Sequence, residues 1–121
     1  MTFLLVAAGA ALGAPLRYLT AHFLDGGRLW SSQWESPWSM HWGTMTVNVI
    51  GSFLLGMFSG MALSGQTLAL LGTGFCGALT TYSAFAVHVH DLGLRKGAAT
   101  VALTVVPALA LCFVGFWLGA A

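Results

Sequence analysis

Residues 74–85, Gly-Phe-Cys-Gly-Ala-Leu-Thr-Thr-Tyr-Ser-Ala-Phe, set glycines and hydroxyls in the middle of a long apolar stretch. A chain crossing lipid has no water to satisfy its backbone. Such a segment persists only where protein, a wet path or an ion site receives its polar groups. Thr80, Thr81 and Ser83 can donate to an anion, or bond back to their own helix and bend it. With Gly74 and Gly77 they predict a broken helix, and a break exposes carbonyl oxygens suited to a small hard cation. Tyr82 and Phe85 are three apart and share a face where the backbone stays helical. Ring edges are electropositive, so rings turned edge-on can accompany an anion, although for an isolated pair ordinary aromatic packing is the better reading.

A second polar set lies at 43–53, Gly-Thr-Met-Thr-Val-Asn-Val-Ile-Gly-Ser-Phe. The Asn48 amide offers two donors and an acceptor inside an apolar span. Thr44 stands four residues earlier on the same face, and the two begin to form a polar rail. A simple bond from Asn48 to a neighbouring helix, worth about 0.6 kcal/mol on average, is the other reading. Arg17 is the charge well inside the first apolar stretch. Holding Arg at a helix centre costs about 2.5–3.5 kcal/mol, which points to a structural role, snorkelling or capping helix ends.

These residues need apolar rods to position them, and composition supplies them. The chain has 121 residues, 58% hydrophobic and 6% charged, against about a quarter charged in soluble domains. Residues 2–24, 42–63, 67–90 and 98–120 each reach the roughly 20 apolar residues that a bilayer crossing needs. The expectation is an all-α membrane protein, a single four-helix transmembrane domain over 1–121. No basic residue precedes the first apolar run, unlike a cleavable signal. Four Lys/Arg, three Asp/Glu and four His leave the chain near neutral, which argues against a nucleic-acid partner. Cys76 and Cys112 read as small packing residues, with neither zinc spacing nor a disulfide framework. No nucleophile–base pair lies in the spans, so an enzyme is not expected.

Trp30, Trp34, Trp38 and Trp42 recur every four residues around the polar stretch 25–41 and suggest an interfacial aromatic belt; Pro37 argues against a continuous helix there. Residues 64–66 read as a tight turn and 91–97 as a loop. Gly9/Gly13, Ser52/Gly56/Gly60 and Gly115/Gly119 place small residues four apart, the pattern of closely packed helices. Pro15 and Pro107 are candidate kinks. Four helices leave little room for a path through one subunit, so a dimer is expected.

The segments 43–53 and 74–85 strongly resemble the two signatures of the Fluc/CrcB fluoride channels, and Gly9-Ala-Ala-Leu-Gly13-Ala-Pro-Leu-Arg17-Tyr18 resembles that family's first-helix signature. The resemblance implies a fluoride-selective passive channel in the cell membrane, multi-pass, that lowers cytoplasmic fluoride. It also implies an antiparallel dimer of four-helix subunits with a broken third helix, two fluoride pathways and a central sodium ion. By resemblance, Gly77 and Thr80 supply carbonyls to sodium, and Asn48 is the pore asparagine. Tyr82 and Phe85 are the aromatic pair, Thr44, Thr81 and Ser83 the hydroxyls near the path, and Arg17 the first-helix arginine. The family usually has Phe at Tyr82, hydroxyls at Ala84 and Ala86, and an acid at His88. The fourth helix offers only Thr100 and Thr104 as hydroxyls.

Two other classes compete. A small proton-coupled multidrug exporter needs an intramembrane carboxylate, and Asp25, Glu35 and Asp91 fall in loops or at span ends. A non-conducting assembly subunit would use its glycines for packing alone. Arg28, Arg95 and Lys96 fall on one side of the expected topology and no Lys or Arg on the other, which places the 25–41 and 91–97 loops in the cytoplasm. A homodimer with dual topology and a heterodimer with an oppositely inserted paralogue both remain open.

Overall fold

A computed structural model describes residues 1–24 and 42–121, and these are helical with no strand among them. The tryptophan belt at Trp30, Trp34 and Trp38, together with Arg28 and Pro37, lies outside the described residues, as does the Trp42 side chain. Helix α1 spans Thr2–Leu24 and carries Pro15 inside it. Helix α2 spans Trp42–Gly60. A third rod combines α3 (Gly65–Leu68), a π-helical segment Ala69–Cys76, and α4 (Gly77–Leu79). Thr80 and Thr81 are extended, and α5 then runs Tyr82–Ala120 with Pro107 inside it.

At 39 residues, a straight α5 would be nearly 60 Å long by the helical rise, about twice a bilayer core. It is not straight. Gly93 has φ 77° and ψ −178°, a conformation that a side chain would oppose. A Cβ built at Gly97 would lie 2.7 Å from the Val89 carbonyl oxygen. Eight residues of unbroken helix would hold these positions about 12 Å apart. The chain therefore doubles back at Gly93, and the 91–97 stretch, expected as a loop, is helical on both sides of that single residue.

Glycine contacts give the packing directions. Gly9 meets Leu70 and Phe75, and Gly13 meets Phe75 and Leu79, so α1 runs parallel to the third rod. Gly51 faces Cys76 and Thr80, while Gly72 faces Leu55, so α2 runs antiparallel to that rod. Gly115 meets Phe53 and Gly119 meets Met57; Gly56 meets Cys112 and Gly60 meets Phe116. The distal half of α5 is therefore parallel to α2. Most of these approaches are backbone on backbone, where any Cβ would collide, as small-residue seams between membrane helices allow. Cys76 is buried, Cys112 is half-buried, and both are free thiols.

The outer surface is apolar. Phe3, Leu4, Leu12, Val106, Leu109, Phe113 and Trp117 are all exposed, as befits a solvent of lipid tails or a partner helix rather than water. Thr2–Leu24, Gly43–Gly60 and Gly65–Ala120 are long and apolar enough to cross a membrane.

Helix α2 ends at Gly60, three residues before the position expected from hydropathy, for a local reason. The Leu63 N–H donates to the Phe58 carbonyl at 3.4 Å and the Ala62 N–H to the Ser59 carbonyl at 3.0 Å, the paired bonds of a Schellman cap. Ala62 fills the left-handed position of that cap with φ 53°, where glycine is the unstrained residue. Ala62→Gly is expected to raise unfolding stability in detergent by about 1 kcal/mol. Thermal or denaturant unfolding checks this; an unchanged or lower midpoint would refute it.

Candidate functional site

The extended residues Thr80 and Thr81 are the centre of the polar chemistry. In a continuous helix the Thr81 N–H would close on the Gly77 carbonyl. Instead it donates to Asn48 Oδ1 at 2.8 Å, while Asn48 Nδ2 donates to the Thr81 carbonyl at 3.2 Å. One side chain thus satisfies both backbone groups of a residue 33 positions away. The Asn48 carbonyl in turn accepts from Ser52 Oγ at 2.7 Å. Gly51 allows α2 to come this close, because a Cβ there would strike the Thr80 methyl.

The next carbonyl has a different partner. Arg17 Nη1 donates to the Thr80 carbonyl at 3.3 Å. Its helix is held against the third rod by the Gly9 and Gly13 contacts, so the first-helix arginine caps an exposed helix end from inside the bundle. The Thr80 N–H and Thr80 Oγ1 both return to the Cys76 carbonyl, at 3.0 and 2.9 Å. This is a hydroxyl back-bond of the kind that accompanies helix bending.

Thr81 also starts α5. Its Oγ1 accepts the Ala84 N–H at 3.4 Å and lies 3.5 Å from Ser83 Oγ. The sequence signal, a threonine immediately before a helical apolar run, is that of an N-cap, a role distinct from the place near an ion path that the family resemblance implies for this hydroxyl. The Tyr82 and Phe85 ring centroids are 6.4 Å apart, with planes inclined at 47°. Tyr82 is 82% exposed, and Phe85 is half-buried. Thr44 is half-buried one turn before Asn48, and His88 is half-buried farther along α5. Thr100 and Thr104, the thin row on the last helix, are 7% and 5% exposed. The structure therefore brings Asn48, Thr81, Thr80 and Arg17 into direct contact, with Ser83, Tyr82 and Phe85 immediately beyond.

The break has opposite electrical faces. The third rod ends in carbonyls that have lost their helical donors, and α5 begins with N–H groups and the positive end of its dipole. Carbonyls suit a hard cation; N–H groups, the second Asn48 amide hydrogen and aromatic edges suit an anion. Gly77 is exposed, and a Cβ there would meet nothing within 4 Å. Its carbonyl and that of Thr80 are oxygen donors of the type that a sodium-sized cation takes. Among the described residues no group of three His, Cys, Asp or Glu converges to hold a metal.

Arg17→Gln should destabilise the folded chain by about 1.5–3 kcal/mol, the usual worth of a hydrogen bond to a charged group. Arg17→Lys, which keeps the charge, should lose less. Unfolding of both variants in detergent checks this; equal, negligible losses would remove Arg17 from the cap.

The family described as "CrcB-like protein, Camphor Resistance (CrcB)" matches residues 4–120. The Fluoride-specific ion channel FluC 2 of Rhodococcus jostii is 48% identical over 120 residues, covering 98% of this chain and 96% of its own length. The Fluoride-specific ion channel FluC 1 of Frankia casuarinae is 40% identical over 130 residues, covering 100% of this chain and 95% of its own. The protein of the same name from Streptomyces avermitilis is 40% identical over 125 residues, covering 97% and 94%. These relatives are named as ion channels and not as enzymes. Three ordered motifs, a match over almost the whole chain and apolar helices able to cross a membrane agree, and the chain belongs to the CrcB family.

Proposed function

We propose that this chain conducts fluoride passively through the cell membrane and so lowers cytoplasmic fluoride. One observation carries the reading: the Thr80–Thr81 break, clamped by Asn48 and Arg17, leads directly into the Tyr82–Phe85 aromatic pair. The names of its relatives supply the ion. Fluoride is small and strongly hydrated, so a pore must replace its water with donors, here the Asn48 amide, hydroxyls and ring edges. No carboxylate within the described spans offers proton coupling; Asp91, 3.7 Å from His90, is exposed beside the Gly93 turn.

The active form is a dimer of two oppositely inserted copies, or of this chain and a paralogue, embedded in lipid. Each subunit crosses four times, a reading supported by the reversal at Gly93 and the alternating helix directions. Both termini then share one face, and the Gly93 turn lies on the other. The exposed Tyr82 and Gly77 belong to the face between subunits. Sodium, held by the Gly77 and Thr80 carbonyls, supplies fixed positive charge at the subunit boundary. The fluoride path uses Asn48, Phe85, Tyr82, Thr44, Thr81 and Ser83.

Purified protein in vesicles loaded with potassium fluoride should release fluoride when a potassium ionophore is added, and should retain chloride. No fluoride release, from the chain alone or with a paralogue, would defeat the proposal. Phe85→Ile is expected to lower that flux by about tenfold or more, equivalent to at least 1.4 kcal/mol in the barrier. Tyr82→Phe, which keeps the ring edge, is expected to stay within a few-fold; the reverse order would exchange their roles. Single cysteines at Leu94 and Ala121 in a cysteine-free background test topology. Labelling of the two sites from opposite sides is expected, and labelling of both sites from one side only in the same molecules would exclude four crossings.

A further inference from the structure

We infer that Asn48 is a positioning residue for the cation site, because it takes the Thr81 N–H that would otherwise close over the Gly77 carbonyl; this rests on the proposal that Gly77 and Thr80 carbonyls receive a cation. The geometry separates the two carbonyls. That of Thr80 is turned out by its own extended backbone, ψ 161°, and is steadied by Arg17. That of Gly77 belongs to a residue with ordinary helical angles, φ −63° and ψ −35°. It is opened only because its helical donor is engaged elsewhere.

The engagement is specific. Thr81 N–H to Asn48 Oδ1 is 2.8 Å, and Asn48 Nδ2 to the Thr81 carbonyl is 3.2 Å. The neighbouring donors cannot substitute for the missing one, since the Thr80 N–H and hydroxyl are both committed to the Cys76 carbonyl. Gly77 has no side chain to cover its carbonyl, and the space a Cβ would occupy is open to 4 Å. With Asn48 removed, the Thr81 N–H is left unsatisfied in an apolar setting; the Gly77 carbonyl is the acceptor that a continuous helix would give it, and the helix can close through the break.

The same arrangement divides the amide's duties. Its oxygen and one Nδ2 hydrogen hold Thr81, and the second Nδ2 hydrogen is the group it can offer to an anion. The cation site and the anion path are therefore joined through one side chain. A residue that only contacts the anion could be replaced without altering cation binding. Asn48 could not.

The test is the sodium dependence of thermal unfolding of the purified dimer in detergent, with N-methylglucamine as the replacing cation. The wild-type midpoint should rise with sodium, because a ligand bound to the folded form stabilises it. Asn48→Ala should raise the half-saturating sodium concentration by about 10–100-fold, the usual loss when a group behind metal ligands is removed. Asn48→Asp, which keeps an acceptor for the Thr81 N–H but no donor, should retain sodium dependence while losing fluoride flux. Replacing Thr81 by its α-hydroxy acid removes the N–H but also weakens the Thr80 carbonyl as an ester, so the protein with Asn48 and the Asn48→Ala variant are compared within that ester background. There Asn48→Ala should cost sodium binding nothing further, which a merely misfolded variant would not show. A wild-type sodium midpoint in Asn48→Ala, or an equally large loss from Asn48→Ala in the ester background, would overturn the inference and leave the sodium proposal standing. A wild-type protein indifferent to sodium would overturn that proposal and the inference with it.

Discussion

The two hydrogen bonds between the Asn48 amide and the Thr81 backbone are the interaction on which the rest of this structure depends. A break in a membrane helix strands carbonyls on one side and N–H groups on the other, and lipid can satisfy neither. Here the stranded groups are shared out among three helices. Asn48 from α2 takes the N–H and carbonyl of Thr81, Arg17 from α1 takes the Thr80 carbonyl, and the Thr81 hydroxyl takes the Ala84 N–H. Gly77 and Tyr82, on either side of the break, are exposed. A break satisfied so thoroughly from within the chain is a built site.

Small residues make that site reachable. Gly51 removes the Cβ that would hold α2 away from Thr80, and Gly9 and Gly13 let α1 lie backbone to backbone on the third rod. Those approaches bring Arg17 and Asn48 to the same two residues from different sides. The Gly56, Gly60, Gly115 and Gly119 seam then fixes the returning half of α5 along α2. The π-helical segment Ala69–Cys76 ends where the Gly77 N–H is shared between the Gly72 and Gly74 carbonyls. Its wider turns immediately precede the break, as such turns often do near functional sites.

Much of the architecture is written in composition and local pattern. Apolar length marks the membrane helices, small residues four apart mark the seams, and three ordered motifs mark the family. The remainder is tertiary. Periodicity reads 91–97 as a loop because Gly-Leu-Arg-Lys-Gly looks polar and flexible, yet a single positive φ at Gly93 suffices to reverse the chain. Hydropathy carries α2 on to 63, whereas a Schellman cap stops it at Gly60. Above all, the dual role of the Asn48 amide depends on a partner 33 residues away, which neighbouring residues cannot reveal. Asn48 as interhelical glue and Asn48 as pore residue looked like alternatives in the sequence. The observed bonds show how one amide can serve as glue while keeping one hydrogen for another task.

The function proposed for this break is movement of an ion down its own gradient rather than exchange against protons. The reversal potential of protein fused into a planar bilayer measures that most directly. Under a tenfold fluoride gradient at equal pH, the account predicts a reversal potential of about 59 mV, the full value for a singly charged ion, unchanged when a proton gradient is imposed. A reversal potential that follows the proton gradient, or that collapses when chloride is added to one side, would contradict it.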